Sequence, residues 1–259
     1  MTRLLAALLC VVGLETCFAY DADDTIVSAS GTLPLILTVP HDGGEPLGML
    51  SARAQGAVVR DVGTRELAER ATKAIEAKTG KRPYLVIAKI SRKFLDVNRA
   101  QAEAMESDQA LPAYRAYHER VAAFVREVSA QFPGGGLLVD VHGQSAEPAT
   151  IFRGTRAGLT VKSLLDRHGI AAVQGDLSVT GLLEAKGYRV VPPRASGSLA
   201  EDRRYNGGYT VFTYGSQHPG GIDAIQLEFG RDYRGKPGLP DDFADALLAF
   251  MGRYSAPAK

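Results

Sequence analysis

LLVDVHGQ, from Leu137 to Gln144, is the stretch whose reading decides the fold. Leu137, Leu138, Val139 and Val141 make a run that is apolar on both faces. Such a run fits a strand in the middle of a parallel sheet, covered by helices on both sides. Two runs of the same kind lie outward from it. PLILTVP, Pro34 to Pro40, is followed at once by His41, and AIQLEFG, Ala224 to Gly230, contains Glu228. Open α/β sheets bind their ligands beyond the carboxyl ends of their strands, so the three segments are expected to meet in one cleft. Two neutral imidazoles and a carboxylate, with one position left open, suit a single catalytic zinc ion, and a further free carboxylate can act as general base.

The rest of the chain alternates in the same way. DVGTRELAERATKAIEAKTG reads as a helix, with Leu67, Ala71, Ala74 and Ile75 on one face and Gly80 as its stop. PYLVIAKI reads as a second strand, and Ala113 to Gln131 as a long helix whose apolar stripe carries Tyr117, Val121, Phe124, Val125 and Val128. LTVKSLLDRHG and SVTGLLEAKG are shorter helices ending at Gly169 and Gly187, and DDFADALLAFMGRY is a closing helix. Residues 21–32 read as a loose leader. VPPRASGSLAEDRRYNGGYT is poor in strand signals and reads as a binding loop or lid. This order of elements predicts an α/β fold with a mostly parallel or mixed central sheet and helices on both faces.

Residues 1–19 have the layout of a signal peptide: Arg3, an apolar stretch from Leu4 to Leu14, then small residues before a cut after Ala19. The stretch is too short for a permanent membrane anchor, so the chain is expected to be periplasmic or secreted, with no membrane contact once the signal is removed. Cys10 and Cys17 both fall in that segment, which leaves His, Asp and Glu as metal ligands; lipidation at Cys17 fits poorly because Glu15 stands where a small residue is wanted. Residues 20–259, about 240 of them, suit one α/β enzyme domain. Thirty basic and 29 acidic side chains give a net charge of +1 at pH 7 with no basic run, which argues against nucleic acid and anionic membranes as partners.

Several residues stand out chemically. His41 lies in VPHDGGE, where glycines let the backbone turn close to a ligand. Asp140 and His142 share a side of their strand, so the carboxylate can orient the imidazole, and burying the two unpaired would cost several kcal/mol. Gln226 and Glu228 share a face in the same way. Asn206, Tyr209 and Tyr214 belong to the loop before that strand and can bind substrate or pack. His118 on the long helix can face either way, His168 fits a helix C-terminus, and His218 fits a surface loop.

PHDGG, DVGTRELA, SRKFLDVNR, DVHGQ, NGGY and IQLEFGRDY occur here in an order that resembles the N-formylglutamate amidohydrolase family, related to aspartoacylases and zinc metallocarboxypeptidases. The resemblance runs from His41 to Tyr233. It implies a phosphorylase/hydrolase-like fold as in the zinc carboxypeptidases, with His41 and His142 as zinc ligands and Glu228 as the base that activates water. It also implies that Arg92 polarises the scissile carbonyl while Asn98 and Arg99 hold the substrate carboxylate. A planar guanidinium is suited to that grip. The superfamily's His-x-x-Glu spacing fails here, because Gly44 stands three residues after His41. Glu45, one residue further, and Asp61, at the expected start of the next helix, remain as candidates for the carboxylate ligand, and Asp61 or Thr64 can equally cap that helix.

The expected activity is therefore zinc-dependent hydrolysis of an amide bond in a small carboxylate-bearing substrate such as an N-acyl amino acid. Because N-formylglutamate belongs to cytoplasmic metabolism, an exported relative can instead act as a carboxypeptidase or on peptidoglycan fragments with the same site. A periplasmic binding protein would need no base at Glu228, and an iron oxygenase, although its ligand count fits, would leave Glu228 and the arginine segment unexplained.

Overall fold

The strands that flank the central run carry the functional residues, and their pairing explains how those residues meet. The structure, a computed structural model, describes residues 22–48 and 50–255. The segment read as a signal peptide, with Cys10 and Cys17, and residues 256–259 lie outside the described residues. Among the described residues, one sheet of seven strands is formed by β1 (Ile26–Ala29), β2 (Leu35–Val39), β3 (Tyr84–Ala88), β4 (Leu137–Gln144), β5 (Ile151–Gly154), β6 (Val190–Val191) and β7 (Asp223–Gly230). Its order is β1-β3-β2-β4-β7-β5-β6. The middle of the sheet, β3-β2-β4-β7, is parallel; β1 joins β3 and β5 joins β7 antiparallel, so the sheet is mixed.

The helices are α1 (Thr64–Thr79), α2 (Gln101–Ala104), α3 (Leu111–Gln131), α4 (Lys162–His168), α5 (Ala171–Gln174), α6 (Val179–Ala185), α7 (Tyr209–Tyr214), α8 (Arg231–Arg234) and α9 (Leu239–Tyr254). Alternation along β4 divides them between the two faces of the sheet. Leu137, Val139 and Val141 pack with Leu67, Ala71 and Ile75 of α1 and Phe243, Leu247 and Phe250 of α9. Leu138 points the other way, into a layer with Tyr117, Val121 and Phe124 of α3 and Val211 of α7. Each fully buried aliphatic or phenylalanine side chain contributes about 1.5–3 kcal/mol. No helix among the described residues is long and apolar enough to cross a membrane.

The leader expected to be loose contains β1, an edge strand that buries Ile26 and leaves its other three residues partly or fully exposed, a pattern too weak for periodicity to register. β5 and the two-residue β6 also escaped the sequence reading; they are short, and they gain their order from pairing, β5 with β7 and β6 with β5. The loop reading of residues 191–210 holds over most of that length, until Tyr209 opens α7. The helix expected from Asp61 begins at Thr64, behind Gly63 in the left-handed region (φ 90°). Its free amides are taken by a distant residue: Asp42 accepts from Gly63 N at 3.0 Å and Arg65 N at 2.7 Å. Neither Asp61 nor Thr64 caps α1 with its side chain, since the Thr64 hydroxyl donates to the Asp61 carbonyl. The Asp61 carboxylate is thereby left available to the cleft.

Candidate active site

The parallel ladder sets the site row by row. Thr38 of β2 is level with Asp140 of β4, which is level with Gln226 of β7; one step on, His142 is level with Glu228. All stand on the α3 face, where the apolar row Ile36, Leu138 and Ala224 lies two residues earlier in each strand. Polar rows thus replace the apolar layer as the strands run toward their carboxyl ends. His41 follows β2 by two residues, and Asp61 is drawn in because its backbone N–H donates to the His41 carbonyl at 3.0 Å.

His41, Asp61 and His142 are buried and converge. Nδ1 of His41 is 3.1 Å from Nδ1 of His142, and Oδ2 of Asp61 is 3.4 Å from each. The opposite ring nitrogens face carboxylates: His41 Nε2 is 2.7 Å from Asp96 Oδ1, and His142 Nε2 is 2.8 Å from Asp140 Oδ2. A ring nitrogen against a carboxylate carries its proton there, so in the neutral tautomers both Nδ1 lone pairs point at the centre, together with Asp61 Oδ2. Three acceptors facing one another require positive charge between them. Their edges match the roughly 3.3 Å that separates ligand atoms around a tetrahedral zinc with bonds of about 2.0–2.1 Å, so the residues fit a metal ion. Protonation answers the same demand. Burial pulls the His142 imidazole down, yet Asp140, Asp61 and Glu228 together raise it well above its ordinary value. Burial likewise pushes the Asp61 carboxyl up, and the two histidines hold it far below the carboxylate range.

The carboxylates behind the histidines are themselves fixed. Asp140 accepts from the Thr38 hydroxyl at 2.6 Å. Asp96, fully buried, accepts from Arg92 Nε at 3.0 Å, Arg99 Nε at 3.2 Å and the Asn98 amide at 3.0 Å. Such outer partners set the orientation and basicity of ligating imidazoles. The sequence reading recognised Asp140 and passed over Asp96. A lone acid between Leu95 and Val97, both buried, was the available signal.

Glu228 lies beside the centre, with Oε1 3.9 Å from His142 Nδ1 and accepting from Gln226 Nε2 at 3.0 Å. Burial raises its carboxyl, although His142 opposes the shift. Arg92 reaches Asp61 as well as Asp96. Asn98, expected on the substrate carboxylate, lines the cleft; its Oδ1 accepts from Thr210 N at 2.7 Å, and its Nδ2 lies 3.1 Å from His142 Nε2. Through Thr210 it ties the segment of Arg92 and Arg99 to the start of α7. Glu45 does not join the cluster. Its residue forms an isolated bridge with Ile90, and its half-exposed carboxyl lies 3.5 Å from Lys89 Nζ.

A cleft of about 640 Å³ opens over these groups, lined also by Arg99, Asn206, Tyr209, Arg156 and Arg204. His118 sits behind one wall, hydrogen-bonded to Tyr214 and the Val97 carbonyl, and burial lowers its imidazole to about 4. His168 ends α4 and packs on Tyr254, while His218 packs on Phe212; neither lines the cleft.

Residues 108–233 match the family model described as N-formylglutamate amidohydrolase. Among solved structures, the chain is similar to N-formylglutamate amidohydrolase from Ralstonia eutropha, at 18% identity and a TM-score of 0.59 over 88% of this chain and 96% of that one. It is similar to a gene product of Agrobacterium tumefaciens at 17% identity and a TM-score of 0.56, over 89% and 94% of the two chains. At such identities the likeness is one of fold. Comparison with curated proteins gives no match.

Proposed function

We propose that this chain, whose residues 108–233 match the family model described as N-formylglutamate amidohydrolase, is a hydrolase of that family and cleaves the amide bond of a small carboxylate-bearing N-acyl amino acid with the help of one zinc ion. His41, Asp61 and His142 would hold the ion. The observation that carries this reading is the triangle of three inward-facing acceptors with 3.1–3.4 Å edges, with Glu228 beside it. When bound, a divalent ion supplies a Lewis acid that polarises a carbonyl and acidifies water.

The chain's own residues supply the rest. Glu228 accepts a proton from the attacking water and delivers it to the leaving nitrogen, and its position in a largely water-excluded row keeps its basicity above that of a solvated glutamate. Arg92, held by Asp96 on one side, directs its remaining donors at the developing oxyanion. Arg99 orients the substrate through its carboxylate. Asn206 and Tyr209 line the same cleft and contact the substrate there. Export to the periplasm or medium belongs to the same proposal and rests on the sequence of residues 1–19 alone.

The test is hydrolysis of N-formyl, N-acetyl and dipeptide substrates by zinc-loaded protein beside a chelator-treated sample. Release of amine from the N-acyl amino acids that stops on chelation and returns with zinc supports the proposal. Rates indifferent to the chelator would remove zinc from it, and cleavage confined to the dipeptides would replace the substrate class with a peptidase one.

A further inference from the structure

We propose that Arg234 is a positioning residue that holds the Asp61 carboxylate in place from the opposite face of the sheet. The inference rests on reading His41, Asp61 and His142 as a metal centre and goes beyond it, by naming what keeps the carboxylate ligand aimed.

The bond to be held is one between side chain and strand. β2 ends at Val39, one residue past the pairing of Thr38 with Asp140, whereas β4 runs on to Gln144. No β2 residue stands beside Gly143, and its N–H donates instead to Asp61 Oδ2 at 3.1 Å. This is the same oxygen that lies 3.4 Å from both imidazoles. A backbone donor at the end of β4 therefore decides where the carboxylate points, provided the loop of Asp61 stays against that strand.

Arg234 spans the two. α8 turns the chain back after β7 and lays the guanidinium over Gly143. Its Nε donates at 2.8 Å to the carbonyl of Val62, the residue after Asp61. Nη1 donates to the Gln144 carbonyl at 3.2 Å and also to that of Phe229, which is level with Gly143 across the ladder. One rigid, planar cation thus joins the Asp61 loop to β4 and β7 through main-chain oxygens. Gly143 admits it, because a Cβ there would fall 2.6 Å from Cζ and 3.1 Å from Nε. His142 and Glu228 point to the other face, so Arg234 reaches the ligand loop without lining the cleft. Burial weakens the hold of the guanidinium on its proton, and the charges of Asp61, Glu228 and Asp42 oppose that effect.

The Gly143 amide reports the bond directly and needs no metal. Its exchange with deuterated solvent is followed by NMR in the full chain, without zinc and with one equivalent. The wild type should protect it, and Arg234→Met and Asp61→Ala should each raise its zinc-free exchange rate about tenfold or more. Val139, deeper in the same strand, should keep its wild-type rate in both variants. Arg234→Lys, which keeps the charge and a donor for the Val62 carbonyl, should give an intermediate rate, and it decides the matter if the methionine variant does not fold. Zinc affinity, measured by competition with a chelating dye, should fall about 10–100-fold in Arg234→Met. An unchanged Gly143 rate, a rise shared equally by Val139, or wild-type zinc affinity with Gly143 exposed overturns the proposal. A Gly143 rate that depends on Arg234 in a protein that binds no zinc keeps the positioning and removes the metal centre, whereas stoichiometric zinc with an unchanged Gly143 rate does the reverse.

Discussion

His142 of β4 and Glu228 of β7 are level across the parallel ladder, and their side chains stand on the same face with Nδ1 of the histidine 3.9 Å from Oε1 of the glutamate. One residue of slip between these strands would turn one of the two to the opposite face. The β4-β7 pairing runs for eight residues, from Leu137 with Asp223 to Gln144 with Gly230. That length protects the register, and with it the distance between the proposed metal-ligating imidazole and the proposed base.

This relationship predicts the behaviour of Glu228→Gln. The amide keeps the shape and the hydrogen bond to Gln226 but cannot take a proton, so kcat should fall by about 10²–10⁴-fold. Zinc content should stay near one ion per chain, because Glu228 is beside the acceptor triangle and outside it. Turnover numbers and atomic absorption on the same preparation check both halves. A near wild-type kcat would remove Glu228 from proton transfer.

Asp61 and Glu45 separate in the opposite sense. Asp61→Ala takes away one of three inward-facing acceptors and should abolish stoichiometric zinc, together with the rise in Tm that zinc gives the wild type. Glu45→Ala should leave both unchanged, because that carboxyl faces solvent and Lys89. Zinc retained at one ion per Asp61→Ala chain would exclude Asp61 as a ligand.

The carboxylates behind the histidines should matter nearly as much. Asp96→Asn and Asp140→Asn leave the ligand set intact while weakening the partner that fixes each imidazole's tautomer, and metal affinity should fall about 10–100-fold in each. Competition with a chelating dye measures this. Asp96→Asn also releases Arg92 and Arg99 from a shared anchor, so it should raise KM for a carboxylate substrate, which Asp140→Asn should not.

The residues proposed as metal ligands and base were legible because they lie where chemistry interrupts a strong pattern: His142 and Glu228 stand inside apolar strands, and His41 directly after one. Asp61 was legible only as one of two candidates. The deciding fact is that Asp42, a residue of the same loop as His41, caps α1 and leaves Asp61 free, and a cap supplied from 21 residues away has no local signature. Asn98 and Arg99 show the same limit. The motif marked them as substrate binders and gave no sign that the Asn98 side-chain oxygen also accepts from Thr210 N, 112 residues further along the chain. The short strands β1, β5 and β6 escaped because four residues or fewer give periodicity too little to work on.

His118 supplies a prediction about stability. It is enclosed by Tyr114, Tyr117, Tyr209 and Tyr214, with ring centroids 4.4–6.0 Å away, and it donates or accepts at Val97 and Tyr214. Burial lowers its folded-state value from 6.5 to about 4. Between those limits the unfolded chain binds a proton that the folded chain refuses, so unfolding free energy must decrease as pH falls from about 6.5 toward 4 and is restored above 6.5. The side chain is partly exposed, which trims the contribution to roughly 2 kcal/mol. His118→Gln removes the titration while keeping a donor for the Val97 carbonyl. In urea titrations at pH 7 and pH 4.5, the wild type should therefore lose more stability on acidification than the variant does, by about that amount. Equal losses in the two proteins would show that His118 takes its proton as readily folded as unfolded, and that the tyrosine enclosure admits the charge.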